Sequence, residues 1–403
     1  MMDCRPLSPL TTNYVLLTHS VKTILLISPY WKEDHRWMVS SVKLAELWQR
    51  LGYRVVVVCM SKESSIERVS DTLTIHRRKD FFFPDPWNYG IAFGFSGYVR
   101  KVARDLKPER IIVNKLLFWT SLATISLRLR GYPVLQLTDT FVGMTWWPRG
   151  VLPKIGAAIY AWTIGWVILL SASRVVTFHP QPTSLLKKLG IAKKTQVIPT
   201  GIDPGPYESP KSKVQSPNNV MITYVGRLES VKGVDDFLAA AVPLASNDVK
   251  IQVVGWFPST SSGQAKHPLV AQYQDRVTFT GLRHDVPAIL RETDIFVLPS
   301  HSEGLSNALM EAMASGCACI ASEVGGNCFL VQNGVSGFLF PAGDRAALRA
   351  HIQRLLTDPI KRQALGEAAR KRIQEHFSWE RVGKIYSRLF EEEFRRTSRT
   401  LLT

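Results

Sequence analysis

The alternation of short apolar runs with helical patterns constrains the fold of this 403-residue chain more than any other feature. Runs such as "TILLIS" (23–28), "VVVVC" (55–59) and "IIVN" (111–114) contain no charged residue. Strands of this kind are buried on both faces, and the helices between them connect parallel neighbours. The pattern therefore predicts an α/β fold built on doubly wound parallel sheets.

The alternation is interrupted once, which indicates a domain boundary. Residues 204–219 are rich in Pro, Ser and Asn, and the alternation starts again after them. A chain of this length is also more than one core normally fills. We therefore predict two Rossmann-like domains facing each other across a cleft, an N-terminal domain over 1–203 and a C-terminal domain over 204–377. A last helix, about 378–396, is expected to pack back on the N-terminal domain.

Charge is distributed unevenly along the chain. Residues 1–200 contain 27 Lys and Arg against 12 Asp and Glu, whereas residues 201–403 contain 23 against 21. Nucleic acid and anionic membranes both attract a basic surface of this kind. The sequence shows no RNA-binding aromatic motif, basic helix or zinc finger. We therefore predict an anionic membrane surface or an anionic acceptor as the partner, and no nucleic acid.

One uncharged stretch, "IGAAIYAWTIGWVILLSAS" (155–173), approaches the length that crosses a bilayer. Three interpretations of it are open: a transmembrane span, a helix on the membrane surface, and a buried core helix. Trp146, Trp147, Arg149 and Lys154, which lie just before it, are typical of interfacial anchors. These four residues keep the surface interpretation open beside the core helix.

The cysteines and the N-terminus bear on the compartment. Five scattered cysteines are typical of a reducing environment, and Cys317 and Cys319 lack a second pair at zinc-site spacing. His19 and Lys22 interrupt the first apolar stretch, so no signal peptide is expected. Together with the basic first half, this predicts a cytoplasmic protein, peripheral at the inner face of the plasma membrane.

The segment "HSEGLSNALMEAMASG" (301–316) carries two acids directly after the apolar run "DIFVLPS". Ligands of open parallel sheets bind at such carboxyl ends of strands, where helix N-termini point into the crevice. If the segment is helical, Glu303, Asn307 and Glu311 form one stripe, apart from the apolar stripe that packs on the sheet. Gly304 allows close approach of the backbone. The pattern predicts a binding site at this strand end.

A second strand end, "YVGRLESVKG" (224–233), supplies Gly226, Arg227 and Lys232. Arg offers a forked donor and Lys a compact charge, a combination suited to a diphosphate. A third strand end carries the Gly325–Gly326 pair, whose backbone N–H groups are expected to be exposed. No G-x-G-x-x-G opens either alternating unit, which disfavours a nicotinamide dehydrogenase.

In this order and spacing, the segments resemble the C-terminal domain of retaining glycosyltransferases of family 4, which have the two-domain GT-B fold. The resemblance covers roughly 197–390 and includes "VIPTGID", "VGRLESVKG", "SEVGG", "NGVSGFLFPAGD" and "HFSW". The family carries two glutamates separated by seven residues, matched here by Glu303 and Glu311. Over 1–196 the likeness is limited to the pattern of strands and helices.

The resemblance implies transfer of a sugar from a nucleotide-diphosphate donor with retention. Arg227 and Lys232 then hold the diphosphate and stabilise its growing charge, Glu303 approaches the sugar, and Glu311 binds the ribose hydroxyls. The other donor contacts that it implies are Gly226, Leu282, Arg283, Gly304, Leu305, Ser306 and Asn307. Such enzymes generally use no metal, so neither a metal nor another cofactor is expected.

The first half departs from the family pattern on the acceptor side. Asn114 stands where a histidine is frequent, and Asp139 follows Thr138 where the family has His-Asp. Asp139 is the nearest group to orient an acceptor hydroxyl or act as a base, and a helix cap is the alternative. Asn114 and His35 are further acceptor-side candidates. The acceptor implied is a saccharide or a lipid-linked molecule, in synthesis of cell-envelope glycans or glycolipids.

Two other functions remain open at this point. One is a nucleotide-sugar-binding protein of the same fold without transferase activity, and the other is a nucleotide-sugar epimerase, which the paired glutamates disfavour. Measuring donor hydrolysis and transfer separates the transferase from the binding protein.

Overall fold

The structure is a computed structural model that describes most of the chain. The described residues are 22–32, 39–83, 89–145, 147, 150–207, 219–256 and 268–400, with side chains described to residue 392. His35, Trp146 and Arg149, which the sequence analysis singled out, lie outside the described residues.

The N-terminal domain contains ten strands and six α-helices in its described part. The strands are β1 (Thr23–Ser28), β2 (Arg54–Ser61), β3 (Ser65–Ser70), β4 (Leu73–Lys79), β5 (Phe81–Phe83), β6 (Tyr89–Ile91), β7 (Arg110–Asn114), β8 (Leu135–Thr138), β9 (Arg174–Thr177) and β10 (Thr195–Val197). The helices are α1 (Val39–Arg50), α2 (Phe95–Leu106), α3 (Ala123–Arg128), α4 (Val151–Tyr160), α5 (Trp166–Ser171) and α6 (Thr183–Lys188).

Eight of these strands form one sheet in the order β10-β9-β8-β7-β1-β2-β4-β3. Neighbours in it are parallel except β3, which runs antiparallel to β4. Strand β1 shows why its sequence is continuously apolar. Ile24 and Leu26 pack on one face of the sheet, and Leu25 and Ile27 pack on the other. Burial on both faces confirms the predicted helix-covered parallel sheet.

The apolar pattern of the sequence did not predict the β3–β4 extension or the small antiparallel hairpin of β5 and β6. All six residues of β3 are exposed. Because an exposed edge strand buries no apolar face, it lacks the apolar run by which the other strands were recognised.

The described part of the C-terminal domain has six strands, all parallel, and the helices after them continue to Thr400. The strands are β11 (Val220–Val225), β12 (Val249–Val254), β13 (Val277–Gly281), β14 (Ile295–Leu298), β15 (Ala318–Ser322) and β16 (Phe338–Phe340). The helices are α7 (Val234–Ala241), α8 (Pro268–Tyr273), α9 (Val286–Glu292), α10 (Asn307–Ala314), α11 (Asn327–Leu330), α12 (Arg345–Thr357), α13 (Pro359–His376) and α14 (Trp379–Thr400).

The strand order β13-β12-β11-β14-β15-β16 reverses direction between β11 and β14. The same reversal occurs in the N-terminal sheet between β1 and β7. In doubly wound sheets, ligands bind at the carboxyl ends of the strands at such reversal points. The fold therefore places one crevice in each domain.

The chain crosses between the domains twice, at adjacent places. Ile202 and Ser378 form a parallel bridge, and an ideal Cβ on Gly201 would lie 2.8 Å from the Trp379 ring. Beyond this crossing, α14 packs on the N-terminal domain, where Val382 and Tyr386 join the core cluster of β1 and α1. The last helix thus belongs to the first domain by its packing.

Helices α4 and α5 are joined by a π-helical turn at Ala161–Gly165 into one continuous helix, Val151–Ser171, called the apolar helix below. It is the one helix of the described residues that is long and apolar enough to cross a membrane. Only 28% of its most apolar 18-residue window is buried in the protein. The apolar helix is therefore not the buried core helix that was one of the three interpretations.

Candidate functional site

Lys232 is placed at the cleft by a tight turn after β11. The turn Ser230–Lys232 ends at Gly233, which has a φ of 69° and lies so close to β14 that an ideal Cβ would be 2.0 Å from the Pro299 carbonyl oxygen. Only glycine combines that backbone conformation with that approach. The turn thus brings the Lys232 amine to 2.7 Å from Glu303 Oε1.

Arg227 follows the same strand, β11, and is largely available to solvent. Its guanidinium contacts Glu229 at 3.0 Å, and 53% of its side chain is exposed. The buried Tyr224 hydroxyl donates to the Arg227 carbonyl oxygen at 2.8 Å. Burial and then the charge of Glu303 raise the pKa of Tyr224, while the charge of Arg227 lowers it. Tyr224 is therefore close to both Arg227 and Glu303.

Glu303 lies on the loop between β14 and α10 and not on the helix, so the predicted helical stripe was wrong at this residue. Helix α10 begins at Asn307 because Ser306 caps it, accepting a hydrogen bond from the Leu309 amide at 3.3 Å. Glu303 Oε1 accepts hydrogen bonds from Lys232 and from the Ser300 hydroxyl. The carboxylate is thereby held 9% exposed at the strand end.

The Gly325–Gly326 pair supports this loop. An ideal Cβ on Gly325 would lie 1.9 Å from the Glu303 carbonyl oxygen, so no side chain fits there. The Gly326 amide donates to the Gly304 carbonyl at 2.9 Å. The expectation that both glycine amides are exposed was therefore wrong for Gly326, because that amide holds the Glu303–Gly304 backbone in place.

Asn307 and Glu311 are one turn apart on α10, and both face the other domain. The Lys43 amine, from α1 of the N-terminal domain, donates to Asn307 Oδ1 at 3.2 Å. Burial raises the pKa of Glu311, although the Lys43 charge and a hydrogen bond from the Tyr207 hydroxyl both lower it. Leu305 packs against the core clusters of both domains. This stretch of the predicted donor site is thus an interface between the domains.

Leu282 and Arg283 lie at the end of β13, two strands from β11. Leu282 is 62% exposed, and Arg283 forms a two-point contact with Asp285 at 2.6 and 2.8 Å. Gly226 and Gly281 are connected through Gly255, whose amide donates to the Gly281 carbonyl and whose Cα lies against the Gly226 carbonyl. Leu282 and Arg283 therefore lie at the open edge of the crevice that contains Gly226.

On the acceptor side, Asp139 follows β8 and faces Gly304 across the cleft. An ideal Cβ on Gly304 would lie 3.4 Å from Asp139 Oδ2. The Lys115 amine contacts the same oxygen at 2.7 Å. Burial acts to raise the pKa of Asp139, but the Lys115 charge and hydrogen bond outweigh it and the net pKa is lowered. Asp139 is therefore an ionised carboxylate that faces Gly304, beside Glu303.

Asn114, the second acceptor-side candidate, is fully buried at the end of β7. Its amide nitrogen donates to the hydroxyls of Ser40 and Ser41 at 3.1 and 2.6 Å, and Ser41 also contacts Ser28 at 2.7 Å. Asn114 thus joins β7, α1 and β1 beneath the cleft, and its side chain is not accessible to an acceptor.

Three residues of this site were missed by the sequence analysis: Lys43, Lys115 and Tyr207. Lys115 directly follows a predicted strand, so the strand-end rule could have found it. Lys43 carries no local indication, because it lies on a helix 264 residues from its partner Asn307. Among the residues that the structure describes, no group of three His, Cys, Asp or Glu side chains could hold a metal ion.

Two doubly wound domains with a cleft lined by cations and carboxylates define the GT-B class of glycosyltransferase fold. Two family profiles match the chain, "Glycosyltransferase Family 4" over 39–205 and "Glycosyl transferases group 1" over 219–358. Together they cover most of both domains. The chain belongs to glycosyltransferase family 4.

Relatives and solved structures agree with this assignment. The chain is 30% identical over 240 residues to an Escherichia coli UDP-Gal:alpha-D-GlcNAc-diphosphoundecaprenol alpha-1,3-galactosyltransferase, covering 55% of this chain and 61% of that protein. It is 29% identical to the Staphylococcus aureus capsular polysaccharide biosynthesis glycosyltransferase CapM over 43% of this chain and 48% of that protein. The chain thus spans about half to three-fifths of the length of these two curated relatives.

The fold is also shared with solved structures over nearly the whole chain. A sucrose-phosphate synthase from Thermosynechococcus elongatus superposes with a TM-score of 0.74 at 24% identity, covering 93% of this chain and 100% of that one. Anabaena HepE, solved in complex with UDP and glucose, superposes with a TM-score of 0.71 at 18% identity, covering 92% of this chain and 100% of that one. At these identities, the likeness establishes the GT-B fold.

Proposed function

We propose that this protein transfers a sugar from a nucleotide-diphosphate donor to a lipid-linked or saccharide acceptor, with retention at the anomeric carbon. The observation that carries the proposal is the contact of Lys232 with Glu303 at 2.7 Å, beside Arg227 and across the cleft from Asp139. A diphosphate grip formed by Arg227 and Lys232, a carboxylate for the sugar and, from the facing domain, a carboxylate for the acceptor are thus proposed to line the cleft between the two domains.

The grip acts on the leaving group. When the bond from the anomeric carbon to the diphosphate oxygen breaks, the electron pair stays on that oxygen, and negative charge grows there. Arg227 and Lys232 are fixed cations that stabilise this charge in the transition state more than in the ground state. Lys232 exchanges its contact with Glu303 for the phosphate, which leaves Glu303 free to accept hydrogen bonds from the sugar hydroxyls.

The acceptor hydroxyl attacks the anomeric carbon, and its proton passes to the departing phosphate oxygen. Asp139 orients that hydroxyl, because an ionised carboxylate accepts the hydroxyl hydrogen bond. Lys115 keeps Asp139 ionised, as the lowered pKa of the carboxyl indicates. The proposed reaction needs no metal and no organic cofactor, since the protein's own cations stabilise the leaving group.

The first experiment identifies the donor. Purified protein is heated with UDP-glucose, UDP-galactose, GDP-mannose or ADP-glucose, because a ligand that binds only the folded state raises the melting temperature. At least one of these compounds is expected to raise it. The stabilising donor is then supplied with a saccharide acceptor, and the anomeric configuration of the product is read by NMR. An inverted product would refute retention, and donor binding without transfer or hydrolysis would favour a binding protein.

We also propose that the protein works at the inner face of the plasma membrane, in synthesis of a cell-envelope glycan. The E. coli relative acts on a diphosphoundecaprenol-linked sugar, and an acceptor of that kind is held in the bilayer. The apolar helix supports the proposal, because a row of its apolar side chains is exposed. The row consists of Val151, Leu152, Ile155, Ile159, Trp162, Ile164, Trp166, Val167 and Leu170.

The charge around this row favours an anionic lipid surface. The apolar helix contains no acidic residue, and the Lys188 amine lies 4.7 Å from the centre of the Trp162 ring. Amphipathic helices with Trp and Lys at their margins lie in the interface of anionic bilayers. The loop that carries the acceptor carboxylate also reaches this helix, because Gly143, four residues after Asp139, packs directly on the Ala157 backbone.

Vesicle sedimentation tests the membrane proposal. The Ile155→Ser/Ile159→Ser variant is expected to bind phosphatidylglycerol vesicles about tenfold more weakly than the wild type, since each buried apolar side chain contributes about 1.5–3 kcal/mol at most. Ile360→Ser, at an 83% exposed position on α13, is the matched control. Equal vesicle binding by all three proteins, or dimerisation that depends on Ile155 and Ile159, would refute this use of the helix.

A further inference from the structure

A cavity of about 250 Å³ lies where the two domains meet. Its wall is formed in part by α1, by α10 and by residues 202–207, which pass from one domain to the other and are called the crossing segment below. Five of the lining residues carry side chains that are charged when ionised at neutral pH. They are Lys43, Glu46, Arg50, Asp203 and Glu311. The N-terminal domain supplies the cations of this cavity, and the C-terminal donor helix supplies one of its acids.

Lys43 is the residue that reaches across the boundary. Its amine donates to Asn307 Oδ1 at 3.2 Å. Burial lowers the pKa of Lys43, while the charges of Glu311 and Glu46 raise it. Burial of the Lys43 amine away from water costs free energy. The nearby Asn307 amide and Glu311 carboxylate offset that cost only while Lys43 stays against α10.

We propose that Lys43 is a positioning residue that the acceptor domain contributes to the donor site, orienting Asn307 and Glu311 and making donor binding depend on the approach of the two domains. This inference rests on the proposed function and on the role that the family resemblance implies for Glu311, which is to bind the nucleotide ribose. The geometry supports it because Asn307 and Glu311 lie one turn apart on one face of α10, and Lys43 meets that face from α1.

The coupling follows from where Lys43 is attached. Its contact with α10 exists only while α1 lies against that helix, so the contact stabilises the closed arrangement of the domains. A donor that binds the ordered face of α10 more tightly also favours the closed arrangement. Because such coupling is reciprocal, the loss of Lys43 weakens donor binding even though Lys43 need not touch the donor.

Lys43 also acts on the charge of Glu311. The ionisable groups that line the cavity with this carboxylate are Lys43, Glu46 and Arg50 from α1, and Tyr207 and Asp203 from the crossing segment. Burial raises the pKa of Glu311, and Lys43 opposes that rise. Without Lys43, Glu311 takes up a proton at higher pH and accepts fewer hydrogen bonds from ribose hydroxyls. Donor affinity is then lost at higher pH than in the wild type.

The test compares Lys43→Met with Lys43→Arg, using Lys371→Met at an exposed position of α13 as the control. The dissociation constant of UDP, or of GDP if UDP does not bind, is measured by calorimetry from pH 5 to pH 8. We expect Lys43→Met to weaken binding about tenfold at pH 7, on the scale of one charge-assisted hydrogen bond, and to move the loss of affinity at low pH upward. Lys43→Arg should restore most of the affinity and most of the wild-type pH dependence. In both variants, kcat with saturating donor should change little.

Two outcomes would overturn the inference and can be told apart from failure of the proposed function. If Lys43→Met binds the nucleotide with wild-type affinity and pH profile, the inference falls while the function stands. If wild-type protein binds no nucleotide, the function falls first. A double-mutant cycle of Lys43→Met with Glu311→Gln, read by thermal unfolding, needs no ligand. Strictly additive effects in that cycle would show that the two side chains do not interact.

Discussion

The two domains share one architecture and differ in what surrounds their strand ends. In the C-terminal domain, Lys232, Glu303 and Arg227 come from short loops after neighbouring strands, and the half of the chain that contains them is near neutral. In the N-terminal domain, Asp139 is paired with Lys115, the half of the chain that contains it is basic, and the apolar helix is exposed. In the proposed function, the C-terminal crevice takes a soluble anion and the N-terminal crevice takes an acceptor near lipid.

In the proposed function, this difference separates the site that binds the donor from the surface that gives access to the acceptor. A nucleotide diphosphate diffuses in water and needs only fixed cations at a strand end. The proposed acceptor is held in a bilayer and does not diffuse into water. The domain proposed to bind it therefore needs apolar surface near Asp139. Substitutions in each crevice test whether donor binding and acceptor binding are separate functions of the two domains.

The largest effect is expected from the donor crevice. Lys232→Ala should reduce turnover by about 10²- to 10³-fold, because it removes a fixed cation from the developing charge of the leaving group. Steady-state transfer kinetics measure this change, and Lys250→Ala, an exposed lysine on β12, is the control. Wild-type turnover in Lys232→Ala, with the fold intact, would remove this residue from the mechanism.

A smaller effect is expected from the acceptor crevice. Asp139→Asn should lower transfer about 10²-fold, the lower end of what a positioned acid–base group contributes, and leave nucleotide affinity unchanged. The exposed Asp71→Asn variant is the control. A fall in nucleotide affinity that matches the fall in transfer would mean that the two crevices are not separate.

The pH dependence of stability gives Asp139 a second readout. Its pKa is lowered from an ordinary value near 3.8, so the folded state binds the proton less tightly than the unfolded chain. The stabilisation is therefore present above that ordinary value and is lost as the pH falls through the lower folded pKa. Urea unfolding should show the wild type more stable than Asp139→Asn at neutral pH, with the difference shrinking in strong acid.

Substitution of two isoleucines of the apolar helix distinguishes a residue that stabilises the fold from one that is exposed on the surface. Ile168 is fully buried and Ile159 is 61% exposed. Ile168→Ser should reduce the free energy of unfolding by about 3 kcal/mol because it leaves a cavity and buries a hydroxyl. Ile159→Ser should change it by less than about 0.5 kcal/mol. Equal losses in denaturant unfolding would mean that Ile159 belongs to the core.

The smallest effect is expected from metal removal. Because the protein's own cations are proposed to stabilise the leaving group, a chelator such as EDTA should leave the transfer rate unchanged in metal-free buffer. A rate that falls with EDTA and returns with Mg²⁺ would contradict the metal-independent reaction.

The strand-end residues of the C-terminal domain could be predicted because each of them lies close in the chain to an apolar run that marks a strand. Lys232 and Glu303 each follow an apolar run, and the carboxyl ends of adjacent parallel strands meet at one edge of a sheet. The position of Glu303 was still wrong in detail. Helical spacing placed it on a stripe with Glu311, whereas the Ser306 cap starts the helix only at Asn307.

The acceptor side and the boundary between the domains could not be predicted in the same way. Asn114 is a strand-end residue like Asp139, yet it is buried among serines, because α1 packs over its end of the sheet. Lys43 meets Asn307 from 264 residues away, and no periodicity in either helix indicates that meeting.

The amino-acid sequence alone determined the doubly wound architecture and which acids and bases follow its strands, because apolar periodicity and strand-end position are local properties. The tertiary structure decided which side of the apolar helix faces outward, which strand-end residues stay accessible, and that Lys43 joins the donor helix. Those features depend on how separate helices pack over the sheets, and packing is set by contacts between residues that are distant in the chain.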